Sequence, residues 1–131
     1  MNRLLITSVS IFTLCIGISF AETKAERYEK VMAKYTQTET FKNCIPNRSI
    51  KSTIVLDDSN IIFEMRNKEV YLNTLDHKCH SLAFTRQFAY SPTGNRLCGY
   101  DIISVFDSMG PRGSCGLGKF ELLEKVPESS S

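Results

Sequence analysis

The chain is poor in the residues most enzymes are built around. It has two histidines in 131 residues, His77 and His80, and no serine sits in a Gly-x-Ser-x-Gly elbow. A serine hydrolase needs a base beside a nucleophile on a sharp turn, so that class finds no support. There is no Cys-x-x-Cys and no His-x-x-x-His. His77, Cys79 and His80, with Asp76, make a tight cluster, but a metal site needs a second group of ligands at a workable spacing. No metal or cofactor is expected. Gly116-Leu117-Gly118 and Gly110-Pro111-Arg112-Gly113 lack the spacing and the following Lys-Ser or Lys-Thr of a phosphate-cradling loop, so they read as turn and strand glycines.

One-sided charge is missing too. Sixteen Lys and Arg stand against fourteen Asp and Glu, and the basic residues are interspersed singly. Proteins that neutralise phosphate backbones carry basic patches or stripes, so no nucleic-acid partner is expected. Long apolar runs are absent after residue 21, and no membrane span is expected in the remainder.

Before residue 21 the picture differs. Arg3 precedes an apolar stretch from Leu4 to Phe20 that ends in Ser19-Phe20-Ala21, with small residues at the two positions a signal peptidase inspects. This is the layout of a secretory signal, residues 1–21, cleaved after Ala21. Cys15 leaves with it, and Leu14 occupies the place where a lipoprotein signal wants a small residue. Four cysteines follow: Cys44, Cys79, Cys98 and Cys115. An even set behind an export signal reads as two disulfides in an oxidising compartment, periplasmic or extracellular. Pairing leaves no thiol as a nucleophile.

Residues 22–131 have the length of one domain. Thr23-Lys24-Ala25-Glu26 fits a capping box. Behind it Tyr28, Val31, Met32 and Tyr35 recur at helical spacing, predicting an amphipathic helix over about Ala25–Tyr35 within a lead-in of 22–43. From Ile50 the period becomes alternating. Ile50, Ser52, Ile54 and Leu56 read as one side of a strand, with Lys51, Thr53 and Val55 on the other. Asp57-Asp58-Ser59-Asn60 is a turn with solvated carboxylates, Ile61–Arg66 the return strand, 66–69 a turn, and Val70–Leu75 a third strand. Phe88-Ala89-Tyr90 suggests a short strand ended by Ser91–Asn95. Ile102–Asp107 is a fifth strand, Ser108–Ser114 a Gly-rich loop, and Cys115–Leu123 the last strand. Asp101 opens the Ile102 strand and braces the turn before it.

The predicted architecture is therefore mainly β: a small antiparallel barrel or sandwich of five to six strands with one N-terminal helix and two disulfides. The β domain spans 44–124, and 125–131 is a polar tail.

Strand direction limits the pairings. A hairpin of the fifth and sixth strands joined by Ser108–Ser114 puts Cys115 beside Asp107 and Cys98 at the opposite end. Four to nine residues at ~3.3 Å each exceed the ~7 Å Cα separation a disulfide tolerates. Cys98–Cys115 and its complement Cys44–Cys79 are disfavoured. Two connectivities survive: Cys79–Cys98 with Cys44–Cys115, or Cys44–Cys98 with Cys79–Cys115. The first is preferred, because Cys79–Cys98 would clip the weakly patterned segment around Phe84 and Tyr90.

Cys44, Arg48-Ser49-Ile50-Lys51-Ser52, Leu56-Asp57-Asp58, Tyr71-Leu72-Asn73, Cys79-x-x-Leu82, Leu97-Cys98-x-x-Asp101-x-Ile103 and Cys115-Gly116-Leu117-Gly118-x-Phe120 together resemble a family of small exported proteobacterial proteins, an uncharacterised domain of unknown function. The resemblance covers about residues 44–123. It implies an envelope or secreted location and four paired cysteines, and it brings no catalytic residues. His80 departs from it, standing where many relatives have proline.

The functional expectation is a non-enzymatic periplasmic or secreted binding or structural module, with an envelope protein or glycan as partner. The alternative is an inhibitor of an envelope hydrolase, such as a lysozyme or protease, that presents 108–114 with Met109 and Arg112.

Overall fold

A computed structural model describes Gly17, residues 21–92 and residues 94–127. The expected secretory signal falls outside the described residues apart from Gly17 and Ala21, as does the tail beyond Pro127.

Thr23 caps α1 (Lys24–Met32) as a full capping box: its hydroxyl accepts the Glu26 N–H, and the Glu26 carboxylate accepts the Thr23 N–H. The helix stops short of Tyr35. Thr36, Thr38 and Thr40 alternate between Tyr35 and Phe41, and β-branched and aromatic residues suit an extended pleat, so β1 runs Tyr35–Lys42. This strand was not anticipated, and neither was the next. β2 (Cys44–Pro46) leads through one 3-10 turn at Asn47–Ser49 into the expected meander of β3 (Ile50–Val55), β4 (Asn60–Met65) and β5 (Val70–Thr74). Then come α2 (Leu82–Thr85), β6 (Phe88–Tyr90), β7 (Arg96–Cys98), β8 (Ile102–Asp107), β9 (Gly110–Gly116) and β10 (Phe120–Lys125). Ten strands thus replace the expected five to six among the described residues.

They form three sheets and no closed barrel. The largest has the order β1-β10-β5-β4-β3, a ribbon pairs β2 with β7, and the third is β6-β8-β9. Both faces of the large sheet are covered. On one, Tyr28, Val31 and Met32 of α1 pack with Tyr35 on Leu56, Ile62, Val70, Leu72 and Leu123. On the other, Ile61, Phe63, Tyr71 and Phe120 meet Ile103 and Val105 of β8, Ile45 of β2, Leu97 of β7 and Leu82 of α2. Phe63 sits edge-on to Phe120 at 5.3 Å and to Phe88 at 6.4 Å, which ties the two larger sheets together. Double coverage explains the unbroken apolar run Ile61-Ile62-Phe63, since a strand buried on both sides need not alternate.

β3 corrects the expected alternation. The β3–β4 register shifts between Ile50 and Ser52, and a one-residue slip sends later side chains to the opposite face. Ile50 therefore joins the core under β8, whereas Ile54 and Leu56 face α1.

The disulfides are Cys44–Cys98 and Cys79–Cys115. The preferred pairing, Cys79–Cys98 with Cys44–Cys115, is overturned in favour of the other survivor. The reason lies in the unanticipated ribbon, where Cys44 and Cys98 are register partners across β2 and β7. The premise about Cys115 also fails. β8 and β9 turn at Ser108-Met109, so residues 110–116 are strand and Cys115 pairs with Ile103. Cys115 faces inward with Ile103 and reaches Cys79 before α2. The expected tail starts later as well, because Lys125 pairs with Tyr35 and the Val126 N–H donates to the Lys34 carbonyl at 2.9 Å.

Candidate functional site

Two glycines and a buried amide build the most distinctive surface feature. Asn73 on β5 is wholly buried; its side chain donates to the Gly118 carbonyl at 2.8 Å and accepts the Gly118 N–H at 2.9 Å. A Cβ on Gly118 would overlap the Thr74 carbonyl oxygen, so only glycine brings the 117–119 segment this close to β5. Gly99 then stacks above it. A Cβ there would lie 3.1 Å from the Gly118 carbonyl oxygen, and the Gly99 N–H donates to Asn43 at 2.6 Å.

Cys98-Gly99-Tyr100-Asp101 is a tight turn closed by the Asp101 N–H on the Cys98 carbonyl at 3.1 Å. The Asp101 carboxylate accepts the Cys98 N–H at 2.7 Å, the brace expected of it. Tyr100 occupies the third position at φ +72° and is the only aromatic with positive φ among the described residues. Glycine or asparagine is the low-cost choice there; a bulky side chain costs on the order of 1–2 kcal/mol. The backbone is held nonetheless, by the Tyr100 N–H on the Leu117 carbonyl at 2.8 Å and the Leu117 N–H on the Asp101 carbonyl at 2.9 Å. Strain of this kind persists where surrounding structure over-determines it, commonly at ligand contacts.

The strained ring is not used for packing, being 78 % exposed. It lines two clefts. One, of about 420 Å³, has a floor of Leu72, Leu75 and Gly118, a second aromatic wall in Phe41 (56 % exposed), and Thr74, Asp76 and Lys119 at its rim. The other, of about 430 Å³, is lined by Ala89, Ser91, Asp101, Ile102 and Ser104. Sequence reasoning noticed the Asp101 brace and missed Tyr100 and Phe41. The available signal was an aromatic immediately after Gly99 in a four-residue turn.

Met109 and Arg112 lie elsewhere. Met109 is 86 % exposed at the β8–β9 tip, and Asp107 binds it to Arg112: the carboxylate accepts the Met109 N–H at 2.8 Å and the Arg112 Nε–H at 2.6 Å. The Arg112 guanidinium and the Met109 N–H together hold the Asp107 carboxyl below its usual range. Phe84 of α2, also 86 % exposed, borders a cleft of about 290 Å³ that Asp107 and Arg112 share.

Asp57 and Asp58 part company. Asp57 accepts the Ser59 N–H at 2.8 Å, as a turn aspartate does. Asp58, expected to be solvated, is buried: its carboxylate accepts the Ala83 N–H of α2 at 2.9 Å and Lys24 Nζ of α1 at 2.8 Å, while its carbonyl accepts the Cys79 N–H at 2.7 Å. Burial pushes the carboxyl up, but Lys24, the Ala83 N–H and Lys78 together outweigh it and hold the group below its usual range. It is a structural clamp. Cys79 is spent in its disulfide, and no group of three His, Cys, Asp or Glu side chains among the described residues could hold a metal ion.

Fold and bonding define a mainly β protein stapled by two disulfides. No helix among the described residues is long and apolar enough to cross a membrane. No protein-family model, no curated protein and no solved structure matches the chain.

Proposed function

We propose that the protein is a non-enzymatic module of the periplasm or extracellular space that binds an envelope component at the Tyr100 turn. Two disulfides support an oxidising compartment, and the secretory pattern of residues 1–21 supports export. Membership of the uncharacterised exported proteobacterial family belongs to the same proposal. The observation that carries the binding role is Tyr100 itself, an aromatic kept exposed at φ +72° between two clefts. A folding role would have been better served by glycine.

The test is affinity capture from envelope extract under non-reducing conditions, with residues 22–131 compared with the same chain carrying Tyr100→Ala. Protein or glycan retained by the first and lost by the second is the expected result. Identical retention by both removes Tyr100 from the site.

The second reading, a hydrolase inhibitor acting through 108–114, rests on Met109 and Phe84 standing exposed around the cleft at Arg112. Methionine, aromatics and arginine are enriched in interface cores. Its sign would be inhibition of a lysozyme or protease that Met109→Ala and Arg112→Ala both weaken.

A further inference from the structure

The two clefts at Tyr100 have one ring in common, and their linings say what kind of molecule fits. Each has the volume of a small-molecule site, roughly 300–1,000 Å³. We infer that the clefts are adjoining subsites for one extended, uncharged glycan chain that crosses the face of Tyr100. This inference rests on the proposed binding role of the Tyr100 turn and specifies its ligand.

Three observations carry it. First, the apolar contact surface consists of exposed side-chain faces: Phe41 in the first cleft, Ile102 in the second, and Tyr100 between them. The electron-rich face of an aromatic ring attracts positively polarised hydrogens, such as the C–H groups on one face of a sugar ring.

Second, the polar groups suit hydroxyls and disfavour anions. Thr74, Asp76 and Lys119 rim one cleft, while Ser91, Asp101 and Ser104 line the other. A sugar hydroxyl both donates and accepts, so carboxylate, ammonium and hydroxyl groups can all satisfy it. A phosphate or carboxylate ligand would meet two aspartates and a single lysine.

Third, β5, which floors the first cleft, offers no free edge for an extended peptide. β5 is paired on both sides, Asn73 occupies both hydrogen-bonding groups of Gly118, and the Tyr100 N–H is given to Leu117. Strand addition, the common way to bind an extended peptide, has nothing to pair with on β5.

Length dependence tests the inference. Full-length mature protein, residues 22–131, is titrated by calorimetry and amide chemical shifts with gluco- and N-acetylglucosamine oligosaccharides of one, two, four and six units. At least one series should gain about tenfold or more in affinity between one unit and four, with shifts at residues of both clefts. Tyr100→Gly, which suits the local backbone, should lower binding of the tetramer about tenfold or more. Ser104→Arg, which obstructs the second cleft, should abolish the gain with length and leave the single unit bound. Absence of binding to every series at millimolar concentration, or an affinity independent of length, overturns the inference. If Tyr100-dependent capture from envelope extract then yields a protein free of glycan, the binding role of the turn survives and the glycan assignment alone is lost.

Discussion

Asn73 holds Gly118 by both ends of its amide, standing in for a stretch of strand ladder where β5 and the segment leading into β10 come together. A wholly buried amide with both polar ends satisfied makes its bonds in a low dielectric, where losing one partner exposes the full desolvation cost. Asn73→Leu should therefore destabilise the fold by about 2–3 kcal/mol. Gly118→Ala should cost at least as much, since its new methyl group meets backbone that cannot step aside. Urea denaturation of the two variants checks both figures; a Gly118→Ala protein of unchanged stability would refute the close approach.

Tyr100→Gly should do the opposite. Relief of a left-handed tyrosine, less the extra chain entropy of glycine, should stabilise the protein by about 0.5–1 kcal/mol. A melting temperature that rises while ligand binding falls would mark Tyr100 as kept for function at the expense of stability.

Asp58 should make the fold acid-labile. Its carboxyl lies below its ordinary value when folded, so the stabilisation it contributes is complete above the unfolded value of about 4 and is lost as pH falls through the folded one. Asp58→Asn should flatten the decline in melting temperature below pH 4 and lower stability at pH 7 by about 1–2 kcal/mol, because the amide oxygen can still accept the Ala83 N–H but without the negative charge that strengthens that bond and attracts Lys24. Lys24 is mostly exposed, so Lys24→Ala should cost under about 1 kcal/mol. A parallel acid decline in Asp58→Asn and the parent would assign the lability to other carboxylates.

Peptide mapping of unreduced protein should recover Cys44 joined to Cys98 and Cys79 joined to Cys115. Replacing either pair by serine should cost about 2–4 kcal/mol. Loss of the Cys79–Cys115 bridge should raise hydrogen exchange most between residues 76 and 87, because α2 is a single short helix held by that bridge and by Asp58.

Much of this was legible from local chemistry. The capping box at Thr23 and the Asp101 brace each depend on residues three positions apart, and the β3–β5 meander on strands joined by short polar turns. Those are the distances over which propensity and hydrogen-bonding chemistry act. β2 and β7 are not legible because Cys-Ile-Pro and Arg-Leu-Cys are three residues long and lack the aromatic pair that marks the equally short Phe88-Ala89-Tyr90. β9 escaped for another reason: Gly110, Pro111, Gly113 and Gly116 look like a loop, and an edge strand tolerates them. From that one misreading followed the wrong position of Cys115 along its hairpin. Cys98 and Cys115 stay unjoined because Cys98 belongs to the β2–β7 ribbon, where Cys44 is its register partner.

Composition and local pattern were enough to establish a mainly β chain with four cysteines after residue 21, because amphipathic period and residue type are properties of neighbours. Which cysteines join, which aspartate is buried and which aromatic is left exposed were settled by contacts between residues far apart in the chain. Cys44 meets Cys98 only once β2 finds β7; Asp58 is desolvated only once α1 and α2 close on it. Tyr100 becomes a strained, exposed ring only because Gly99 and Gly118 let two turns approach to backbone contact. Packing at that range is set by the whole fold, and no window of sequence contains it.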